Sequence, residues 1–169
     1  SHYRSPLNYS DEQLNDASAA LTRLYTSLRD CPVENIIIDA EYKSRFEDAM
    51  DDDFNTPVAL SILFDLAREL NKAKEVDTER TNCLSNTLIK LAALLGLLQD
   101  DPEKFLKSSV INDADFTDDL VEQQIQARLE AKQAKNWQLA DEIRNVLKEQ
   151  GVILEDSPNG LTSWRREKI

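Results

Sequence analysis

Glycine and proline are scarce, three and five among 169 residues, which leaves little material for the tight turns of an all-β chain or for long irregular stretches. Cysteine is scarcer. Cys31 and Cys83 are too few for a disulfide framework, and with the single His2 they make no zinc-type spacing. Both thiols are expected to stay reduced in a cytoplasmic protein. No apolar run approaches the roughly 18 residues of a membrane span, and no signal-peptide pattern opens the chain, so no membrane partner is expected. There is no initiator Met before Ser1-His2-Tyr3-Arg4, and the chain is expected to be a piece of a longer protein. Ser, His and Asp occur, but no spacing gathers them into a nucleophilic site. Asp51-Asp52-Asp53 precedes a helix start, where negative charge suits the dipole, and no ligand set follows it. The acidic stretch Asp113 to Asp119 lacks the central Gly and terminal Glu of a calcium loop. No cofactor or metal is expected in this chain.

Charge is plentiful and unevenly placed. The net charge is −12, with residues 1–50 contributing −4 and residues 51–119 contributing −8. Residues 120–169 hold eight Lys/Arg and eight Asp/Glu and so carry none. An acidic body with a locally basic end can still grip RNA where its cations lie, although long-range steering is weak.

Periodicity places the helices. Ser10 and Gln13 form a capping-box pattern that opens a helix with Leu14, Ala17, Leu21, Leu24 and Leu28 on one stripe, ending before Pro32. Val33 to Ile38 reads as a loop with an apolar plug. A second helix over about 39–50 groups Tyr42 and Phe46 with Ala49 or Met50. Thr56 as cap and Pro57 at the first helical position start a third, with Ala59, Ile62, Leu63, Leu66 and Leu70. A fourth over about 78–98 carries Leu84, Leu88, Leu91 and Leu95, with Gly96 near its end. Such narrow apolar faces are most cheaply buried in an antiparallel bundle.

Residues 101–117 read as a linker with one turn of helix at Phe105 and Leu106, so that residues 1–100 form a bundle domain and 118–169 a small second domain. Thr117 caps a helix with Val121, Ile125 and Leu129. A break at Ala134–Asn136 leads to another with Leu139, Ile143 and Val146 or Leu147, which Gly151 ends in a left-handed conformation. Val152-Ile153-Leu154 and Leu161-Thr162-Ser163-Trp164 flank Ser157-Pro158-Asn159-Gly160, a β-hairpin pattern. The fold class is therefore mainly α, a bundle followed by a helical hairpin and a short β-hairpin.

Within that end, Trp164-Arg165-Arg166 pairs an aromatic with cations, the combination that single-stranded nucleic acid requires for stacking and phosphate contact. A Trp covering a small core is the competing reading. Trp137 divides evenly between core packing and RNA contact, with Lys132 and Lys135 on the preceding turn.

Three blocks, in order and spacing, resemble the C-terminal part of the cysteinyl-tRNA synthetases. They are His2-Tyr3-Arg4-Ser5-Pro6-Leu7-Asn8-Tyr9-Ser10, then Met50-Asp51-Asp52-Asp53-Phe54-Asn55-Thr56-Pro57, then a series from Arg128 to Arg166. That series includes Ala131, Lys135, Trp137, Ala140-Asp141, Ile143-Arg144, Gly151, Leu154-Glu155-Asp156, Gly160 and Trp164-Arg165. The resemblance implies a synthetase-type helical bundle followed by a small anticodon-binding domain. The family's His-Ile-Gly-His and Lys-Met-Ser-Lys-Ser type motifs and its zinc site are absent from this sequence. The resemblance therefore implies that ATP and zinc serve a catalytic domain outside it, that this chain begins just downstream of the active site, and that it is inactive alone. The implied partners are the cysteine tRNA, at its anticodon stem-loop and the inside of its L, and the protein's own catalytic domain; a monomer is expected.

The residues this implies at the RNA are Arg128, Lys132, Trp137, Asp141, Asp156, Trp164, Arg165 and Arg166. Lys132 stands where relatives often carry Arg; it holds a phosphate but lacks the planar fork that reads a base edge. An acid in an RNA site is expected to accept from a base donor, such as a guanine edge, and this is the expectation for Asp141 and Asp156. The competing reading for both is a surface acid or an ion-pair partner of Arg144, Arg165 or Arg166. Two other functions fit parts of the chain: a helical protein-interaction module, and a cysteine:amino-sugar ligase on the same scaffold, which would lack the Trp-Arg-Arg end.

Overall fold

The computed structural model describes residues 4, 10–31, 37–108, 117–157 and 160–167. The first sequence block apart from Arg4 and Ser10, most of the 33–38 plug, most of the Asp113–Asp119 stretch, and Pro158-Asn159 lie outside the described residues. The chain is mainly helical with one two-stranded sheet, and it divides into two compact units at Phe105/Leu106.

The first unit holds α1 (Asp11–Leu28), α2 (Ala40–Asp51), α3 (Thr56–Ala73) and α4 (Thr78–Leu94). α3 is its centre, packing against each of the other three. Its apolar residues recur at helical spacing over a wide stripe, so Ala59, Leu63, Leu66 and Leu70 are wholly buried. Phe46 of α2 and Leu84 and Leu88 of α4 close the same core. All four helix starts are capped by side chains: Ser10 accepts from the Gln13 N–H, Asp39 from Tyr42, Asn55 from Val58 and Asp77 from Arg80. Between the three helices, Arg80 of α4 donates to Asp39 and to Glu69 of α3, and Glu69 also accepts from the Tyr42 hydroxyl at 2.8 Å. Burial, and then the hydrogen bond to the Glu69 carboxylate, push the Tyr42 phenol up to about 12.

Three details differ from the sequence reading. The stripe on α1 is buried only in its second half: Leu24, Tyr25 and Leu28 are core, Leu14 is 51% exposed and Ala17 lies in solvent. The cap of α3 is Asn55, whose side chain accepts from the Val58 N–H, so Thr56 is already helical. α4 stops at Leu94, with Gly96 at φ +72, earlier than periodicity predicts, because the left-handed turn ends the hydrogen-bond ladder.

A six-residue helix, α5 (Pro102–Lys107), spans the division. On its first-unit side, Phe105 stacks on Tyr25 with ring centroids 3.9 Å apart, and Glu103 pairs with buried Arg29.

The second unit contains α6 (Asp118–Gln133), α7 (Trp137–Glu149), β1 (Val152–Asp156) and β2 (Thr162–Arg166). Thr117 stands at the cap position of α6 without a side-chain hydrogen bond. The turn into α7 has Lys135 at φ +58, and Asn136 caps α7 by accepting from Leu139. Gly151, at φ +72, turns the chain out of α7. The strands pair antiparallel with Leu154 opposite Trp164 and Asp156 opposite Thr162. The period of two puts Val152, Leu154, Asp156, Thr162, Trp164 and Arg166 on one face, and Ile153, Glu155, Ser163 and Arg165 on the other. The first face seals a core of Val121, Ile125, Ile143, Leu147, Val152, Leu154 and Trp164, with Leu129 half-buried at its edge.

Candidate nucleic-acid interface

The eight residues proposed for RNA contact separate into an interior set and a surface set. Arg128 is interior. It follows Val121 and Ile125 on the buried stripe of α6 and is 3% exposed. Its guanidinium forks onto Asp156 of β1, Nη1 to Oδ1 at 2.9 Å and Nη2 to Oδ2 at 2.8 Å, while its Nε has no partner. Lys132, one turn on, reaches Oδ2 at 3.3 Å, and the Thr162 hydroxyl donates to Oδ1 at 2.7 Å. Four donors thus occupy the roughly four lone-pair positions of one carboxylate. The Arg128 fork, outweighing the opposing effect of burial, holds the Asp156 carboxyl well below the usual carboxylate range, with Thr162 and Lys132 adding to it. The same bond pushes the Arg128 guanidinium up.

This arrangement corrects the expectations for both residues. Arg128 ties α6 to the hairpin and presents no donor to a phosphate. Asp156 in this arrangement has no acceptor position left for a base, because its partners saturate it. One carboxylate facing two cations leaves a net positive charge, and Lys132 at the rim is the more accessible of the two cations.

Trp164 is the second correction. It is 2% exposed and fills the centre of the small core, its indole N–H donating to Glu122 at 2.7 Å. Lys107 and Arg166 lie over its ring at 4.9 and 5.6 Å. Both the edge and the face of the ring are taken, so no base stacks there. Arg166 is spent similarly: its Nε donates to the Lys107 carbonyl and its Nη2 to Asp118. Arg165, on the opposite face of β2, pairs with Glu155 at 2.9 Å and remains partly accessible.

Lys132, Trp137, Asp141 and Arg165 lie at the surface, as does Asp156, whose oxygens are already taken. Trp137 begins α7 and is 62% exposed, the opposite of Trp164. Ala140, Ile143 and Leu147 are the buried positions of that helix, so Trp137 and Asp141 project from its flank. Lys135, two residues earlier, holds a left-handed conformation that costs a non-glycine residue roughly 1–2 kcal/mol. Glu122, Thr162 and Lys107 were not singled out in the sequence. Of these only Thr162 left a signal, since hairpin register sets it opposite Asp156.

A mainly helical unit followed by a small unit of two helices and a hairpin places the chain in the class of mainly helical proteins that end in a small antiparallel sheet. Residues 45–99 match the DALR domain family. Nearly the whole chain aligns with proteins named cysteine–tRNA ligase: 54% identical over 99% of the chain in Methylococcus capsulatus, 52% over 98% in an Enterobacter species, and 50% over 98% in Haemophilus influenzae. The chain spans 36–37% of the length of these relatives. It belongs with the C-terminal region of the cysteine–tRNA ligase family.

Proposed function

We propose that this chain is the tRNA-binding region of a cysteine–tRNA ligase, with residues 118–169 approaching the anticodon loop and the bundle bracing the inside of the tRNA. In the whole protein, cysteine would be joined to its tRNA at the expense of ATP, by a catalytic part whose nucleotide and zinc motifs these 169 residues do not contain. The chain then acts in the cytoplasm, as a monomer, on RNA and on its own catalytic part.

The observation that carries the reading is Trp137, an indole left 62% exposed at the first position of α7 in a unit that buries its other tryptophan. An unpaired base of the loop stacks on it, a contact worth roughly 1–3 kcal/mol. Asp141, one turn further on the same flank, is free to accept from a base donor. Asp156 contributes directly only when Lys132 swings from its 3.3 Å contact to a phosphate and vacates an oxygen.

The test is titration of the chain with the anticodon stem-loop of the cysteine tRNA. Trp137→Ala is expected to weaken binding by about tenfold or more, consistent with one lost stack. Asp141→Asn is expected to weaken the preference for guanine over a base-substituted loop. Equal affinity of the unaltered chain for loops with and without the cysteine anticodon would remove the claim of base reading.

A further inference from the structure

The second unit divides its cations sharply. Among its described residues, Lys107, Arg128, Lys132, Arg165 and Arg166 each face an acid within 4 Å. Lys135, Arg144 and Lys148 face none, although the chain carries an excess of twelve acids. The three unpaired cations are not scattered. At about 100° per residue, Trp137, Arg144 and Lys148 fall within about 40° of one another on α7, roughly a quarter turn from the buried stripe of Ala140, Ile143 and Leu147. Lys135 stands immediately before the Asn136 cap of the same helix. Lys148 stands in the last turn of α7, where a cation suits the helix dipole, but the residue types at the other two positions are not what stability alone selects. Glycine would relieve the left-handed Lys135, and a row of unpartnered cations repels itself.

From this we infer that the Trp137–Arg144–Lys148 stripe is a phosphate track, which holds one strand of an RNA stem while the adjoining loop base stacks on Trp137. Going along α7, Arg144 lies about 10 Å and Lys148 about 16 Å beyond Trp137. The step of about 6 Å between the two cations is of the order of the spacing between neighbouring phosphates on one strand. Both are exposed and unpaired, so binding costs them no internal ion pair. Asp141 on the same stripe excludes phosphate from its own turn and sets off the base-contacting end from the backbone-contacting end. Lys135 supplies charge at the loop. The track contributes affinity and orientation and carries no sequence information.

This inference rests on the RNA reading above, and the experiment separates the two. The full 169-residue chain is titrated at several salt concentrations with three RNAs: the cysteine anticodon stem-loop, the same hairpin with a changed loop, and the loop as a linear strand. Arg144→Gln with Lys148→Gln keeps helix propensity and removes both charges. The double variant is expected to lower the salt slope on both hairpins by about 2, equally for the two loop sequences, and to erase the preference for the hairpin over the linear strand. Lys135→Gly is expected to raise Tm while lowering the slope by about 1. A double variant that keeps the parent slope on the hairpins overturns the track and leaves the RNA reading standing. An unaltered chain that binds none of the three RNAs overturns the RNA reading, and the track with it.

Discussion

The two tryptophans carry the same chemistry to opposite ends. Trp164 sits on the inward face of β2, with Leu154 opposite, Glu122 at its N–H, two cations over its ring and the small core around it, and is 2% exposed. Trp137 follows a helix cap, a position whose side chain points away from the core. Truncating a buried aromatic costs about 3–5 kcal/mol, whereas an exposed change away from such features stays within about 0.5 kcal/mol. Trp164→Ala is therefore expected to unfold most of the small unit under mild denaturant, and Trp137→Ala to leave its midpoint unmoved. Chemical denaturation of the two variants beside the parent measures this; a large shift for Trp137→Ala would show that the indole is packed and not free for a base.

Between elements, the Asp156 clamp fastens α6 to the β-hairpin, and its two halves are unequal. Asp156 keeps water on one side, while Arg128 is buried and has, besides Asp156, only the weaker influence of the Asp141 charge among the described residues. Removing Asp156 strands a buried charge, at about 3 kcal/mol, the low end for a pair with one buried member. Removing Arg128 leaves an acid that still has solvent, Lys132 and Thr162. Asp156→Asn is expected to destabilise the unit more than Arg128→Met, and thermal melts of the pair check the order. The asymmetry follows from where the uncompensated charge is left.

At the scale of the whole chain, each unit has its own core, and both tryptophans belong to the second. Tryptophan fluorescence therefore reports that unit, whereas helical circular dichroism reports both. A carboxyl held below its unfolded value of about 3.9 contributes stability that is full above that pH and is lost as pH falls toward the folded value. Acid titration is expected to change tryptophan emission progressively below about pH 4, with Asp156→Asn flattening that dependence. Emission that is insensitive to acid in the parent would mean that the clamp does not set the stability of the unit.

Short-range chemistry made much of this legible in the sequence. The cap at Ser10, the α3 stripe, the left-handed Gly151 and the hairpin all follow from neighbours a few residues apart, where spacing alone fixes geometry. The polar residues at the small unit's edge were also visible as a group. Their division into interior and surface was not, because it depends on partners far along the chain: Arg128 meets Asp156 across 28 residues, and Trp164 meets Glu122 across 42. A sequence presents Trp-Arg-Arg as one basic, aromatic run; the pleat of β2 sends Trp164 and Arg166 inward and Arg165 outward. The sequence by itself determined which residues could bind RNA, since stacking and charge belong to side-chain type. Only the tertiary structure decided which of them are free to do so, since burial and long-range pairing consume the same groups first.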